Sequence, residues 1–118
     1  MTVIQFTDRG GILRLRADGH AGWDGSGHDL VCASESILAY TLLQNLQEAE
    51  SRGWLKELQT DVWPGGIIAQ AAPRRGYRSA VSSIYRTILI GYRLLSENYP
   101  EYVRVTEGIQ GEKNGGNL

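Results

Sequence analysis

Apolar and polar positions alternate along the start of the chain. Residues 3–7 and 12–17 both read as strands. In the second, Leu13, Leu15 and Ala17 share one face while Arg14 and Arg16 take the other. Asp8-Arg9-Gly10-Gly11 between them carries turn chemistry, so the pair predicts a hairpin. From about residue 30 to residue 52 the period lengthens to that of a helix. Leu38, Leu42, Leu46 and Ala49 form one stripe with Ile37 and Thr41 beside it, and Gln44, Gln47, Glu48 and Glu50 fall on the wet side. Two N-caps compete, Asp29 and Cys32, the latter with Glu35 reaching back as in a capping box; either puts the sulfur in the first turn. Gly53 stands where a left-handed residue ends a helix.

Residues 54–62 and 67–72 predict a second hairpin, joined through Trp63-Pro64-Gly65-Gly66. A second amphipathic helix spans residues 77–98, with Ala80, Ile84, Ile88 and Leu95 as its buried stripe, Val81, Tyr85 and Tyr92 flanking, and Pro100 beyond its end. Residues 101–107 alternate around Val103 and Val105 as a last strand. Residues 108–118 are glycine-rich and polar, and read as a flexible C-terminal tail after a single domain of residues 1–107. The order β-β-α-β-β-α-β predicts an α+β fold: a two-layer sandwich of a mixed, mainly antiparallel five-stranded sheet with both helices on one face. The other sheet face must then be polar or covered. Ile67 and Ile68, adjacent and therefore on opposite faces, favour a homodimer.

Composition narrows the picture. The chain has 118 residues, enough for one core and too few for two. Its net charge of -1 and scattered arginines argue against direct nucleic-acid binding. Tyr85, Tyr92, Trp54 and Trp63 read as core and interface aromatics rather than a base-stacking platform. The first residues open straight into a strand, with no leader-like pattern and no apolar run of about 18 residues, so the expectation is a cytoplasmic protein without a membrane span. One cysteine cannot make an internal disulfide, which leaves Cys32 as a reactive thiol, a ligand or packing.

Candidate chemistry concentrates between Gly19 and Cys32. This stretch holds both histidines, the cysteine and a run of glycines that suits a mobile loop. A thiol becomes a good nucleophile at a helix N-terminus or beside an imidazolium, and the unpaired amides of a first helical turn form an oxyanion site. His20 is the candidate base for Cys32, and Asp24 or Asp29 the candidate orienting group. The competing reading of Cys32 is a small buried hydrophobe. A metal site is the weaker alternative: His20, His28 and Cys32 have ligand chemistry but no zinc-like spacing, and no cofactor is expected. The loop lacks the Gly-Lys-Ser/Thr ending of a phosphate-binding loop.

Gly19-His20-Ala21-Gly22 followed by Asp29-Leu30-Val31-Cys32-Ala33 and Ser36, with Tyr99-Pro100-Glu101-Tyr102-Val103-Arg104-Val105 near the end, resembles the ribosomal-processing cysteine protease Prp family over about residues 1–107. The resemblance implies a dimeric endopeptidase. Its implied task is to remove the N-terminal extension of large-subunit ribosomal protein number twenty-seven of the L series, cutting after an aromatic residue and before a small one. It also implies a catalytic dyad of His20 and Cys32, with Gly19, Asp29 and Ser36 in support. Ser34, Glu35 and His28 depart from the family's usual residues. Glu35 lies one helical turn from Cys32 and brings negative charge beside the cleft, so Asp24, Asp29 and Glu35 are candidate contacts for a basic substrate segment. The rival class is a non-catalytic ribosome-associated binding protein.

Overall fold

Strand pairing turns the alternation of the sequence into one apolar sheet face. Ile4 stands opposite Ala17 and Phe6 opposite Leu15, while Leu13, Leu15 and Ala17 meet Ala71, Ala69 and Ile67 on the next strand. Directly opposed residues share a face, so these side chains form a continuous patch, and all are buried. The computed structural model describes residues 1–19 and 28–109, with backbone alone at His28, Asp29 and Ile109. Its elements are β1 (Thr2–Arg9), β2 (Ile12–Gly19), α1 (His28–Ser51), β3 (Leu55–Trp63), β4 (Gly66–Pro73), α2 (Arg78–Asn98) and β5 (Val103–Ile109). The sheet runs β3-β4-β2-β1-β5, antiparallel except for the parallel β1–β5 pair. That exception has a simple cause. α2 carries the chain back across the whole sheet, so β5 starts at the same end as β1.

Both helices cover the apolar face. Val31, Leu42, Leu46 and Ala49 of α1 and Val81, Tyr85, Leu89 and Tyr92 of α2 join the sheet residues in one core, each large side chain contributing about 1.5–3 kcal/mol by burial. Leu38 packs onto Gly91, where a side chain on α2 would collide with it, so the helices approach closely there. The opposite sheet face carries Gln5, Arg14, Arg16, Gln59, Asp61 and Gln70, with Ile68 half-buried among them. The expected α+β sandwich is therefore the observed one. No helix of the described residues is long and apolar enough to cross a membrane.

Local boundaries differ from the sequence expectation in ways that matter for the site. α1 begins at His28, so neither Asp29 nor Cys32 is its N-cap, and Cys32 is the fifth helical residue. His28 and Asp29 join the helix because neither residue type breaks one. At the other end Gly53, at φ 80°, closes a Schellman motif, its amide bonding to Glu50 O and that of Trp54 to Ala49 O, both at 3.0 Å. In α2 the buried stripe is Val81, Tyr85, Ile88, Leu89 and Tyr92, while Ala80 is exposed and Ile84 and Leu95 are half-buried; the expected phase is turned by about one residue. Ile37 is also exposed, at 64 %, rather than bordering the core. β5 runs through Gly108 and Ile109, which pair with Thr7 and Asp8, two residues past the expected end of the domain. The remaining tail, residues 110–118, lies outside the described residues.

Candidate active site

Cys32, Glu35, Ser36 and Ala39 are spaced i, i+3, i+4 and i+7, which places them on one side of α1. They form one wall of a cavity of about 510 Å³. The facing wall comes from the turn of the β3–β4 hairpin, Trp63 to Gly66, together with Val62 and Ile67. Topology explains the meeting. β2 and β4 are antiparallel neighbours with Asp18 opposite Gly66, so the hairpin turn and the exit of β2 lie at one edge. The amide of Gly19 donates to Gly65 O at 3.1 Å and locks the two together.

Gly19 also borders the cavity, and its backbone explains its identity. Its φ is 118°, a conformation L side chains rarely adopt, and a Cβ would collide with the carbonyl of Met1. His20 follows it in the chain. His20 and Asp24 lie outside the described residues, as do the side chains of His28 and Asp29. Cys32 is half-buried at the cavity wall, neither sealed in the core nor fully exposed. Since α1 starts at His28, the amide of Cys32 belongs to the helical ladder, and the amides left over for an oxyanion precede it in the chain. Among the described residues, no three His, Cys, Asp or Glu side chains gather as a metal site would require.

Glu35 is not the surface charge that its position beside Cys32 suggests. Its Oε1 accepts a hydrogen bond from Thr2 Oγ1 at 3.1 Å, while Oε2 is buried without a partner. Burial pushes its carboxyl above the ordinary value of 4.5, against the opposing pull of the Thr2 hydroxyl. Tyr92 from α2 reaches the same cavity and donates from its hydroxyl to the backbone oxygen of Glu35 at 3.3 Å. On the hairpin side, Arg16 lies 5.4 Å from the Trp63 ring centroid and pairs with Asp18 at 2.7 Å. That Arg16 contact, helped by a hydrogen bond from Trp63, holds the Asp18 carboxyl below its usual range. Thr2, Tyr92 and the hairpin residues were not singled out from the sequence as site residues. The available signal was topological: a Trp-Pro-Gly-Gly turn on a strand beside β2 has to lie near the residue that leads into His20.

The sequence matches the family described as Cysteine protease Prp across residues 1–104. No curated protein matches it. Among solved structures, the chain is similar to SMU.848 from Streptococcus mutans, with 31% identity, a TM-score of 0.67, and coverage of 93% of this chain and 96% of that one. It is also similar in fold to the essential ribosomal processing protease Prp from S. aureus. The form with a covalently linked product peptide gives 21% identity and a TM-score of 0.66, covering 91% of this chain and 99% of that one. The form with a substrate peptide gives 20% identity and a TM-score of 0.63 at the same coverage. A cysteine on the wall of a cavity, beside the glycine that leads into a histidine, thus sits within a match that spans most of the chain, and the chain belongs to the cysteine protease Prp family.

Proposed function

We propose that this cysteine protease removes the N-terminal extension of large-subunit ribosomal protein number twenty-seven of the L series, using Cys32 as nucleophile and His20 as base. The observation that supports it most is that Cys32 and Gly19, the residue before His20, line the same cavity. In this mechanism the imidazole of His20 takes the thiol proton, and the sulfur attacks the scissile carbonyl carbon. Backbone amides of the helix start that precede Cys32 donate hydrogen bonds to the developing oxyanion. The carbon–nitrogen bond then breaks, with His20 returning the proton to the departing amine. Water, activated by the same imidazole, adds to the thioester and releases Cys32. Gly19, Asp29 and Ser36 act in support, and Asp24 is a contact for the basic chain beyond the cut. That S. aureus Prp was solved with a covalently linked product peptide supports a covalent route. The reading includes a homodimer, which sedimentation over a range of concentrations checks.

The test is to incubate the full chain with the ribosomal protein carrying its extension and to follow the product by mass. Cleavage by the native protein, lost in both Cys32→Ala and His20→Ala, supports the dyad. Undiminished cutting by Cys32→Ala overturns it. Labelling adds a second readout: Cys32 should react with iodoacetamide at about pH 6.5 and slow sharply in His20→Ala.

A further inference from the structure

Folding gathers arginines that look scattered along the chain. Arg78, Ser82, Arg86 and Arg93 fall at i, i+4, i+8 and i+15 and so share one side of α2, while Arg74 and Arg75 stand exposed in the turn that leads into it. α2 has no acidic residue before Glu97. At about 1.5 Å of rise per residue, the row from Arg78 to Arg93 is about 22 Å long. Arg78 and Arg86, with Ser79, Ser82 and Ser83, line a recess of about 460 Å³.

The carboxylates that pair with this row lie beneath it. Asp8 of β1 holds Arg78, and Glu107 of β5 holds both Arg86, at 3.2 Å, and Arg93. The side chains of Asp8 and Glu107 are only 12 % and 17 % exposed, whereas those of Arg78, Arg86 and Arg93 are 50 %, 44 % and 50 % exposed. The pairs therefore fix the guanidiniums and turn their positive side outward. Each guanidinium also carries five N–H donors, more than its carboxylate takes up. Charge interactions are screened beyond about 8 Å at physiological salt, so the local excess of arginine, and not the net charge of -1, decides what this face attracts.

We propose that this face of α2 is a docking surface for an RNA strand, with Arg78, Arg86 and Arg93 on its phosphates and the hydroxyls of Ser79, Ser82 and Ser83 donating to phosphate oxygens in the recess. A lone phosphate would need a single such point, whereas a row of about 22 Å spans several phosphates of one backbone. The choice of RNA among polyanions rests on the protease reading above, because a ribosomal protein is itself an RNA binder. Tyr92, on the inner side of the same helix, borders the cavity, so RNA held on the outer side leaves the cleft open to its peptide.

The experiment follows binding of a short fluorescent single-stranded RNA to the full chain by anisotropy over a series of salt concentrations. Native affinity should fall as salt rises. Arg86→Gln leaves Glu107 paired with Arg93, so it strands no buried carboxylate; it should weaken binding about three- to tenfold and lower the salt slope by about 0.7, the share of one phosphate contact. Ser83→Glu puts a negative charge in the recess with every ion pair in place and should weaken binding by about tenfold. Arg14→Gln, the same charge change on the helix-free sheet face, should stay within about twofold of native. Absence of salt-dependent binding by the native protein, equal losses in Arg14→Gln and Arg86→Gln, or tighter binding to phosphatidylglycerol vesicles than to the RNA overturns the inference. Cleavage of a peptide of the extension, measured on the same preparations, should be native in Arg86→Gln and Ser83→Glu. Cleavage without RNA binding overturns the docking surface and leaves the protease reading, while RNA binding without cleavage does the reverse.

Discussion

Thr2 of β1 donates its hydroxyl hydrogen to Oε1 of Glu35 on α1 at 3.1 Å, while Oε2 of that carboxylate is buried with no partner. The carboxylate therefore ties the first strand to the helix that carries Cys32, yet is only half satisfied. Burial raises its pKa above 4.5, and the Thr2 hydroxyl and the amino group of Met1 oppose the rise. A raised carboxyl means the folded chain holds this proton more tightly than the unfolded one. Stability linked to Glu35 is thus fully present below pH 4.5 and is lost as pH rises through the raised folded value. Glu35→Gln, neutral at every pH, should melt higher than the native protein at neutral pH, and the difference should shrink on acidification toward pH 4.5. Thermal melts across that window check it. A difference that grew on acidification would contradict this account of the buried carboxyl.

Much of this arrangement is written in the sequence, and the parts that are not have identifiable causes. Period-two alternation in residues 12–17 fixed both the existence of β2 and its buried face, because a strand has only two faces to choose from. The phase of α2 was harder. Periodicity puts Tyr85 and Tyr92 with Val81 beside the stripe rather than on it, but Tyr85 is fully buried with its hydroxyl donating to Ala69 O at 3.0 Å. A backbone acceptor on a sheet far away in sequence makes a tyrosine a core residue, and no local pattern reports it. The α1 side of the cavity was legible in part, since helical spacing puts Glu35 one turn from Cys32, while Ala39 is added by the structure. The opposite wall, at Trp63 to Ile67, depends on which strand neighbours β2, which is a tertiary fact.

Gly19 is where strand geometry meets the segment that leads on to residue 20. Gly19→Ala places a Cβ against the Met1 carbonyl at a φ of 118°. The expected cost is about 1–3 kcal/mol of stability, visible in a thermal melt. The activity loss should exceed what partial unfolding explains, since residue 20 follows directly. A protein with native melting and native kcat/KM would show that the close approach is not required.

Trp63 depends on an absent side chain. Gly66 lies under its indole, where a Cβ would collide with the ring, and Arg16 and Asp18 hold the ring from the adjacent strand. Gly66→Ala should displace the indole and deform the hairpin wall of the cavity. Because that wall faces Cys32 without touching its sulfur's chemistry, KM should rise severalfold while reactivity of Cys32 toward iodoacetamide stays near native. Loss of thiol reactivity in this variant would instead assign the hairpin a role in positioning the Cys32 thiol.

The two core tyrosines provide a reading of the packing that needs no substrate. Burial pushes the hydroxyls of Tyr85 and Tyr92 far above the ordinary value of 10, and the nearby Glu35 carboxylate adds to the effect at Tyr92. The folded chain therefore holds these protons through the range in which exposed tyrosines lose theirs. Stability linked to them is intact below pH 10 and falls as pH rises beyond it, because the unfolded chain ionises first. An absorbance titration at alkaline pH should show two tyrosines, Tyr85 and Tyr92, ionising only as the protein unfolds. Tyr85→Phe should reduce that number to one and cost about 1–2 kcal/mol, since its single hydroxyl hydrogen is shared between Ala69 O at 3.0 Å and Leu13 O at 3.3 Å, both buried. Tyr92→Phe, which gives up a single bond of 3.3 Å to Glu35 O, should cost less stability but alter KM, because its ring borders the cavity. If all six ionised together near pH 10 with the fold intact, the helix layer could not be packed on the sheet as described.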